Sequence, residues 1–350
     1  MKKVYVGMSG GVDSSVAAAL LEQQGYFVVG VYMKNWTQDI AGVACPWKQD
    51  LADAKAAAAV LDIPFKIFDF QTEYRQKVVD VMVAEYKNGR TPNPDILCNQ
   101  EIKFKLFLET ALADGADLVA TGHYAAIKDG ELCIPRDTDK DQTYFLYRMP
   151  ASSLKKTLFP LAGLTKTEVR TIATKLNLPT ATKPDSQGIC FVGEVGIKAF
   201  LQQYIKTKPG HIIDPSGKIV GTHEGAIFYT IGQRQGLKIG GGEPYFVTGK
   251  DMEKNEVYAT CDVLALELSG TTFAIVDCNW FCPVPSSNGE YQIRIRHRGR
   301  MVACTIEPAK NGFLITLRTP ERAISSGQSA VLYNGQTVVG GGIISALLPL

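Results

Sequence analysis

The chain has 350 residues, of which 45% are hydrophobic and 21% charged, and its formal net charge is +2. This composition is typical of globular proteins, and the length predicts two or three domains because one core rarely exceeds ~250–300 residues. No apolar run approaches the ~20 residues of a membrane span, and no signal-peptide core follows Lys2 and Lys3. We therefore expect no membrane association and a cytoplasmic location. The eight cysteines include no C-x-x-C pair, which disfavours a zinc ribbon and leaves the thiols free for chemistry.

Strand and helix patterns alternate through the first half of the chain. An apolar strand at 4–8 precedes a helix at 14–24, capped by Asp13 or Ser14. The strand pattern at 27–33 is almost continuously apolar, which is typical of a strand buried on both faces. The alternation predicts the α/β class, with a doubly wound, Rossmann-like, mostly parallel sheet whose ligands bind at the carboxyl ends of the strands.

The pattern changes near residue 196. Helical periodicity fades, glycine becomes more frequent, and short β-type runs bounded by turns follow one another. We predict an α/β domain at 1–198, a small β-rich domain at 199–266 and a third, barrel-like β domain at 267–350.

Residues 7–15 read GMSGGVDSS and connect the first predicted strand to the first predicted helix. Gly10 and Gly11 allow the backbone to approach an anion closely, and the first helical turn offers free N–H groups and a favourable dipole. The serines add hydroxyl donors, and Asp13 is placed to reach a metal or to cap the helix. In this strand–loop–helix context the segment predicts a phosphate-binding site, although it lacks the lysine of a Walker-type loop.

Two cysteines are candidates for reactivity. Cys98 lies in RTPNPDILCNQEIKF, where the prolines disfavour helix, so we predict it at or just before the start of a helix at 99–113. The dipole there favours a thiolate, and Asp95, three residues earlier, is near enough to exchange a proton. Cys190 lies in the polar segment KPDSQGICF, whose residues leave a reactive and an inert cysteine as equal alternatives.

A basic segment, YQIRIRHRGR, occupies residues 291–300. As a strand it would place four arginines on one face, spaced ~7 Å apart like the phosphates of a nucleic-acid strand. No acid interrupts the segment, which favours a polyanion-binding face over an ordinary solvated one.

The segment SGGVDSS resembles the PP-loop of the ATP-pyrophosphatases, which adenylate a substrate and release pyrophosphate. Five further segments occur in matching order: TPNPDILCNQEIKF, ATGHYA, KDQTYFL, KPDSQGICF and YTIGQRQGL. Together they make the chain resemble the tRNA-specific 2-thiouridylase family over essentially its whole length. The resemblance implies an enzyme that activates C2 of the wobble uridine (position 34) with ATP and replaces its oxygen by sulfur, giving 2-thiouridine, AMP and pyrophosphate.

The resemblance also implies roles for individual residues. Cys98 matches the nucleophile, Cys190 the cysteine that carries persulfide sulfur, and Asp95 the general acid/base, with the two cysteines forming a redox pair. The positions that match the ATP site are Gly7, Met8, Ser9, Gly10, Gly11, Val12, Asp13, Ser14, Ser15, Met33 and Gly122. The positions that match tRNA contacts are Asn93, Pro94, Asp95, His123, Lys140, Asp141, Gln142, Arg296, His297 and Gln328.

The implied cofactors are ATP, Mg²⁺ bound with it, and persulfide sulfur, and no iron–sulfur cluster is expected. The implied partners are the anticodon stem-loop of tRNA, bound in part by the last domain, and a sulfur donor such as a cysteine desulfurase or a sulfur-relay protein. Two routes of sulfur transfer stay open, namely direct attack by the persulfide and release of sulfide through attack by Cys98. Two rival functions also stay open: a PP-loop ligase or amidotransferase acting on a small molecule, and a non-catalytic tRNA-binding protein.

Overall fold

The computed structural model describes residues 1–40, 42–185, 196–240, 242–262, 271–281, 283–287 and 289–347. No helix in these ranges is both long and apolar enough to cross a membrane.

A parallel five-stranded sheet forms the first part of the molecule. Its strands are β1 (Lys3–Gly7), β2 (Phe27–Lys34), β3 (Phe65–Asp69), β4 (Leu118–Thr121) and β7 (Thr157–Leu158), in the order β3-β2-β1-β4-β7. Every neighbouring pair is parallel. Parallel strands need crossover helices, which cover both faces of the sheet and bury its central strands. The predicted Rossmann-like architecture is confirmed.

The helices of this part follow the strands in chain order. They are α1 (Val12–Gln23), α2 (Trp47–Val60), α3 (Gln71–Tyr74), α4 (Asp80–Lys87), α5 (Pro94–Leu97), α6 (Phe107–Ala113), α7 (Ala151–Leu154), α8 (Lys166–Lys175) and α9 (Gly196–Gln202). Two π-helical stretches, Arg75–Val79 and Cys98–Leu106, join α3 to α4 and α5 to α6.

Helix α1 packs on the sheet through small and branched residues. Ala18 and Leu21 share a buried core with Val4 and Val6 of β1, and the small Ala18 side chain brings the helix axis close to the strand. The predicted cap was wrong, because the helix begins at Val12 with Gly11 as its N-cap, and Asp13 and Ser14 lie in the first turn.

A small mixed sheet, with antiparallel and parallel pairs, follows α9. It contains β8 (Gly210–Ile213), β9 (Ile219–His223), β10 (Phe246–Asp251) and β11 (Glu256–Thr260) in the order β10-β11-β8-β9. Ile212, Val247 and Val257 form the centre of its core and are fully buried.

The last part of the chain closes into a six-stranded barrel. Its strands are β12 (Thr272–Trp280), β13 (Tyr291–Arg294), β14 (Val302–Ala309), β15 (Gly312–Leu317), β16 (Ser329–Asn334) and β17 (Thr337–Leu347). The order β12-β15-β14-β13-β16-β17 returns to its start through antiparallel pairing of β12 with β17. Closure removes the free edges of the sheet and confirms the predicted barrel.

A hairpin from the first half of the chain extends this barrel sheet. Strands β5 (Ala126–Lys128) and β6 (Glu131–Cys133) pair with each other, and Cys133 pairs with Thr337 of β17. The two regions also share one hydrophobic core, in which Tyr144 and Tyr147 pack with Tyr333.

The two predicted domain boundaries stay predictions. The boundary between 198 and 199 lies within α9, whose Phe200 and Leu201 pack into the core beside the first sheet. The boundary between 266 and 267 lies outside the described residues.

Candidate active site at the carboxyl edge of the parallel sheet

The glycine-rich loop leads from the end of β1 into α1. Its N-cap, Gly11, has an extended backbone and makes no side-chain capping hydrogen bond. The hydroxyl groups of Ser14 and Ser15 donate to the Gly11 carbonyl over 3.1 and 2.9 Å, and Ser14 Oγ accepts from the N–H of Ser9 over 3.2 Å. These hydroxyls hold the loop in shape, and the N–H groups of the first turn have no side-chain cap, so phosphate binding at them stays a prediction.

Two glycines allow backbones to approach each other at this loop. Gly10 has φ +77°, and a Cβ there would collide with the backbone carbonyl of Asp50. A Cβ at Gly122, just after β4, would lie 2.6 Å from the Ser14 nitrogen. Gly122 is therefore needed for packing against the first turn of α1, whether or not it also contacts a nucleotide.

Met33 lies beside the same loop, near the end of β2. Its Cε is 2.9 Å from the position that a Cβ would take on Gly7, and its side chain is half-buried against the central core. This placement puts Met33 next to the predicted nucleotide site, and a direct contact with ATP stays a prediction.

Asp13 points from the first turn of α1 toward α8. Its carboxylate accepts hydrogen bonds from Lys166 Nζ over 2.6 and 2.8 Å and from the Tyr124 hydroxyl over 3.0 Å. Lys166 also forms an ion pair with Asp185 at 2.8 Å. Residues that are distant in the chain and absent from the motif therefore engage Asp13.

Asp185 is the centre of a wider charged cluster. Besides Lys166, it pairs with Lys140 at 2.8 Å and with Arg170 at 2.6 Å. Burial alone would raise the pKa of Asp185, but hydrogen bonds from Lys140 and Lys166 hold it well below its usual value. The carboxylate therefore stays ionised.

Cys98 lies one turn inside its helix. Pro94 is the first residue of α5, and the Asn93 side chain caps the helix by accepting from the N–H groups of Asp95 and Ile96. The prediction that Cys98 stands at a helix N-terminus was wrong, because proline suits the first helical position, where its missing N–H costs nothing. Cys98 is 3% exposed and begins the π-helical stretch, a rare geometry that is frequent at functional sites.

The charge of Lys103 acts on both Asp95 and His123. Burial raises the pKa of Asp95, and the charge of Lys103 partly opposes this rise. Lys103 Nζ lies 3.5 Å from His123 Nε2, and His123 Nδ1 lies 2.8 Å from Thr121 Oγ1. Because an ammonium group only donates, Nε2 accepts and Nδ1 carries the proton. Burial, together with Lys103, lowers the pKa of His123 well below its usual value, so the imidazole is neutral.

Thr91 anchors the segment that leads to Asn93. Its carbonyl accepts from Gln328 Nε2 over 2.7 Å, and its N–H donates to the Ser326 carbonyl over 3.1 Å. Its hydroxyl lies 3.1 Å from that of Thr230, in the loop between β9 and β10. All three parts of the molecule therefore meet at the start of the Asn93–Pro94–Asp95 segment.

The predicted tRNA contacts at 140–142 are engaged within the chain. Lys140 pairs with Asp185, and the Gln142 side chain accepts from the N–H of Tyr124 over 2.9 Å. Asp141 is 3% exposed and forms an ion pair with Arg294 of the barrel at 2.7 Å. Direct contact of Asp141 with tRNA would require this pair to open, and the tRNA role of all three residues stays a prediction.

The arginine segment is not the continuous strand that we expected. Strand β13 ends at Arg294, and the chain then turns, with φ +57° at Arg298. Arg296 and Arg300 pair with Glu321 at 3.4 and 2.5 Å. The expectation of unopposed cations on one face was wrong because the acids come from distant parts of the chain.

His297 lies where the barrel packs against the first half of the chain. Its ring packs against that of Phe145, with centroids 4.4 Å apart, and burial lowers its pKa. Arg298 is exposed and makes no ion pair within the described part of the chain.

Cys190 lies outside the described residues, so its distance from Cys98 stays untested. The chain that leads toward it is anchored by Lys183, which pairs with Asp50 of α2 at 2.8 Å, and by Asp185. Across the described ranges, no three His, Cys, Asp or Glu side chains come together as a metal-binding set.

Sequence reasoning missed two lysines of this site. Lys166 follows Thr165 in the T-x-x-E pattern of a capping box, which Thr165 and Glu168 form at the start of α8. That pattern would have predicted the helix start, but not its position beside Asp13. Lys103 follows Cys98 by five residues, and nothing in that spacing predicts its hydrogen bond to His123.

The glycine loop, the parallel sheet and the appended barrel define a PP-loop-type α/β nucleotide-binding protein. Three family models match consecutive parts of the chain: the tRNA methyl transferase HUP domain at 2–194, the tRNA methyl transferase PRC-barrel domain at 198–260 and the aminomethyltransferase beta-barrel domain at 270–344.

Full-length relatives are more specific. The tRNA-specific 2-thiouridylase MnmA of Chromobacterium violaceum is 47% identical over 98% of this chain and 92% of its own. That of Nitrosomonas eutropha is 47% identical over 98% of both chains. The chain belongs to the tRNA-specific 2-thiouridylase family. Among solved structures, a 4-thiouridine synthetase in complex with RNA and ATP matches 58% of this chain and 50% of its own, at 16% identity and a TM-score of 0.38.

Proposed function

We propose that this protein is an ATP-dependent tRNA-uridine 2-sulfurtransferase. Family membership supports tRNA thiolation, and the finer proposal is adenylation of C2 of the wobble uridine followed by transfer of persulfide sulfur. The observation that carries it is that Asp95, whose pKa is raised by burial, precedes Cys98 by three residues on one helical run, in a chain that also has an uncapped PP-loop.

The glycine loop serves the activation step. Oxygen at C2 of uracil is a poor leaving group, and transfer of AMP to it converts it into a good one. The N–H groups of the first turn of α1 hold the β- and γ-phosphates, which leave as pyrophosphate, while the uridine oxygen attacks the α-phosphate. Mg²⁺ would arrive with the nucleotide.

Asp95 and Cys98 serve the sulfur step. A carboxyl group whose pKa is raised by burial is better suited to take and return a proton than one in water. Asp95 is three residues before Cys98 on one helical run, which places the two side chains on neighbouring faces of adjacent turns. Cys190 would carry the persulfide. Whether its terminal sulfur attacks C2 directly or Cys98 first releases sulfide, the thiol groups must meet, with Cα atoms no more than ~7 Å apart if a disulfide forms.

The products of the reaction test the activation step. Turnover with tRNA should yield AMP and pyrophosphate, and ADP and phosphate would contradict the PP-loop role. Nucleoside mass spectrometry of the same tRNA decides the transferred group. Methyl transfer is a second candidate, because two of the matching family models are named for tRNA methyl transferases. Methyl transfer would add a methyl group to the nucleoside, whereas thiolation would exchange one oxygen for sulfur.

Labelled cysteine and a cysteine desulfurase test the roles of the thiols. Cys190→Ser should adenylate tRNA but retain no label, whereas Cys98→Ser should retain label on Cys190 and form no thiouridine. Cys45→Ser, which removes a half-buried thiol bonded to the Trp36 carbonyl, is the matched control and should keep full activity. Label on Cys98 in mapped peptides would overturn the assignment.

A further inference from the structure

The PP-loop contains no lysine of its own, but Lys166 of α8 lies beside it and is bonded to Asp13 in the first turn of α1. We infer that Lys166 is a phosphate-binding residue: when ATP binds, its ammonium group stays paired with Asp13 and exchanges Asp185 for an oxygen of the β- or γ-phosphate. This inference rests on the proposed ATP-dependent function and names a residue that the PP-loop motif does not include.

Packing between α1 and α8 fixes the position of Lys166. Val12 and Val16 of α1 share one core with Val169 and Ala173 of α8, and all four are buried. Lys166 is the first residue of α8, so its side chain reaches the first turn of α1. A compact cation is thereby held at the helix end that offers N–H groups to phosphate.

The carboxylate of Asp13 makes such a cation necessary. An anion that arrives at the first turn of α1 meets Asp13 in that same turn, and like charges a few ångströms apart repel strongly where solvent is limited. Lys166 Nζ lies 2.6 and 2.8 Å from the two oxygens of Asp13, and its side chain is only 13% exposed. It therefore neutralises Asp13 at the place where the phosphates would bind.

The other partner of Lys166 is also a carboxylate. Asp13 and Asp185 together present three oxygens within 2.8 Å, one for each of its N–H groups. Asp137 lies nearby and is committed to the backbone N–H groups of Lys140 and Lys166. A phosphate oxygen matches the charge and geometry of the Asp185 carboxylate oxygen, so an exchange keeps every N–H bonded.

A purely structural role for Lys166 predicts a different result. If the lysine only ties α1 to Asp185, its loss would weaken binding of AMP and ATP alike. If it binds the terminal phosphates, its loss would weaken binding of ATP and pyrophosphate and spare AMP. The ratio of the two affinities therefore separates the roles.

Calorimetric titration of the full chain with ATP and with AMP measures this ratio. In Lys166→Gln, affinity for ATP should fall roughly ten- to a hundredfold, the usual effect of one charged hydrogen bond, with AMP unchanged. Arg136→Gln is the matched control because it removes a cation that pairs with Glu168 at the start of α8 without touching Asp13 or Asp185, and its ratio should equal that of the wild type. An unchanged ratio in Lys166→Gln overturns the inference, whereas a wild-type protein that binds no ATP would instead refute the proposed function.

Asp185→Asn tests the same exchange by removing the carboxylate that competes with phosphate for Lys166. This variant also tests the inference if Lys166→Gln does not fold. Removal of one competing carboxylate should strengthen ATP binding several-fold and leave AMP binding unchanged. The gain should vanish in the double variant Asp185→Asn/Lys166→Gln. An ATP-to-AMP ratio that falls or stays constant in Asp185→Asn overturns the inference.

Discussion

The glycine loop at 7–15 and the arginine segment at 291–300 differ in the partners of their polar groups. In the glycine loop, serine hydroxyls bond to the loop itself, and the first turn of α1 has no side-chain cap. In the segment at 291–300, Arg294, Arg296 and Arg300 are each paired with an acid of another part of the chain. The N–H groups of the first turn of α1 therefore have no side-chain cap, whereas the arginines of the second region are engaged, one with Asp141 outside the barrel and two with Glu321 within it. Positive charge in a sequence is therefore a weak indicator of nucleic-acid binding until its partners are known.

The largest expected effect concerns Asp95, the candidate general acid/base that precedes Cys98. Asp95→Asn should lower the single-turnover rate of thiolation by roughly 10²–10⁴-fold, the usual contribution of a general acid/base. Its melting temperature at neutral pH should not fall, because the amide removes a partly buried carboxylate whose ionisation burial disfavours. Glu109→Gln, an exposed change on the same helical run, should alter neither quantity. A melting temperature that falls together with the rate would indicate a structural role.

The next effect concerns the arginine segment and is one of stability. Arg294→Met leaves Asp141 buried without its partner and should reduce the free energy of unfolding by about 3–5 kcal/mol. Denaturant titration measures the change, and Arg298→Met, at an exposed position, should stay within about 0.5 kcal/mol of the wild type. Equal stability of the two variants would show that the Arg294–Asp141 pair does not hold the barrel in place.

A smaller effect distinguishes the exposed arginine from the paired ones. Arg298→Ala should weaken tRNA binding and reduce the log–log salt slope by about one unit, as expected for one phosphate contact. ATP affinity, measured in the same preparation, should not change. If the salt slope is that of the wild type, the segment plays no part in tRNA binding through this residue.

The smallest effect is a pH dependence of stability. The folded pKa of Asp95 lies above its unfolded value, so the group stabilises the fold fully below the unfolded pKa, and this contribution is lost as pH rises through the folded pKa. The free energy of unfolding of Asp95→Asn, relative to the wild type, should therefore rise between acidic and neutral pH. Urea titrations at several pH values measure this difference, and a constant difference would contradict the raised pKa.

The features that local sequence determines were predicted correctly. The parallel sheet, the glycine loop after β1 and the closed barrel follow from hydrophobic periodicity and turn residues within short windows. The helix start at Pro94 also depends on local sequence, but we predicted it wrongly. We treated proline as a helix breaker, whereas proline suits the first turn of a helix.

The features that failed depend on residues far apart in the chain. Lys166 reaches Asp13, and Arg294 reaches Asp141, across 153 positions in each case. No periodicity or spacing within either segment encodes such a partner. The π-helical geometry around Cys98 was likewise not predicted, because the sequence pattern fits an α-helix equally well.

The hairpin formed by β5 and β6 has a consequence for how the protein is divided. It adds two strands to the barrel sheet through Cys133 and Thr337, and Tyr144, Tyr147 and Tyr333 fill a core that both regions enclose. A C-terminal fragment that begins after α9 would carry the six barrel strands but would expose these apolar surfaces and leave part of β17 as an open edge, a template for association with other chains. We therefore expect the barrel to fold poorly when it is separated from the first half of the chain.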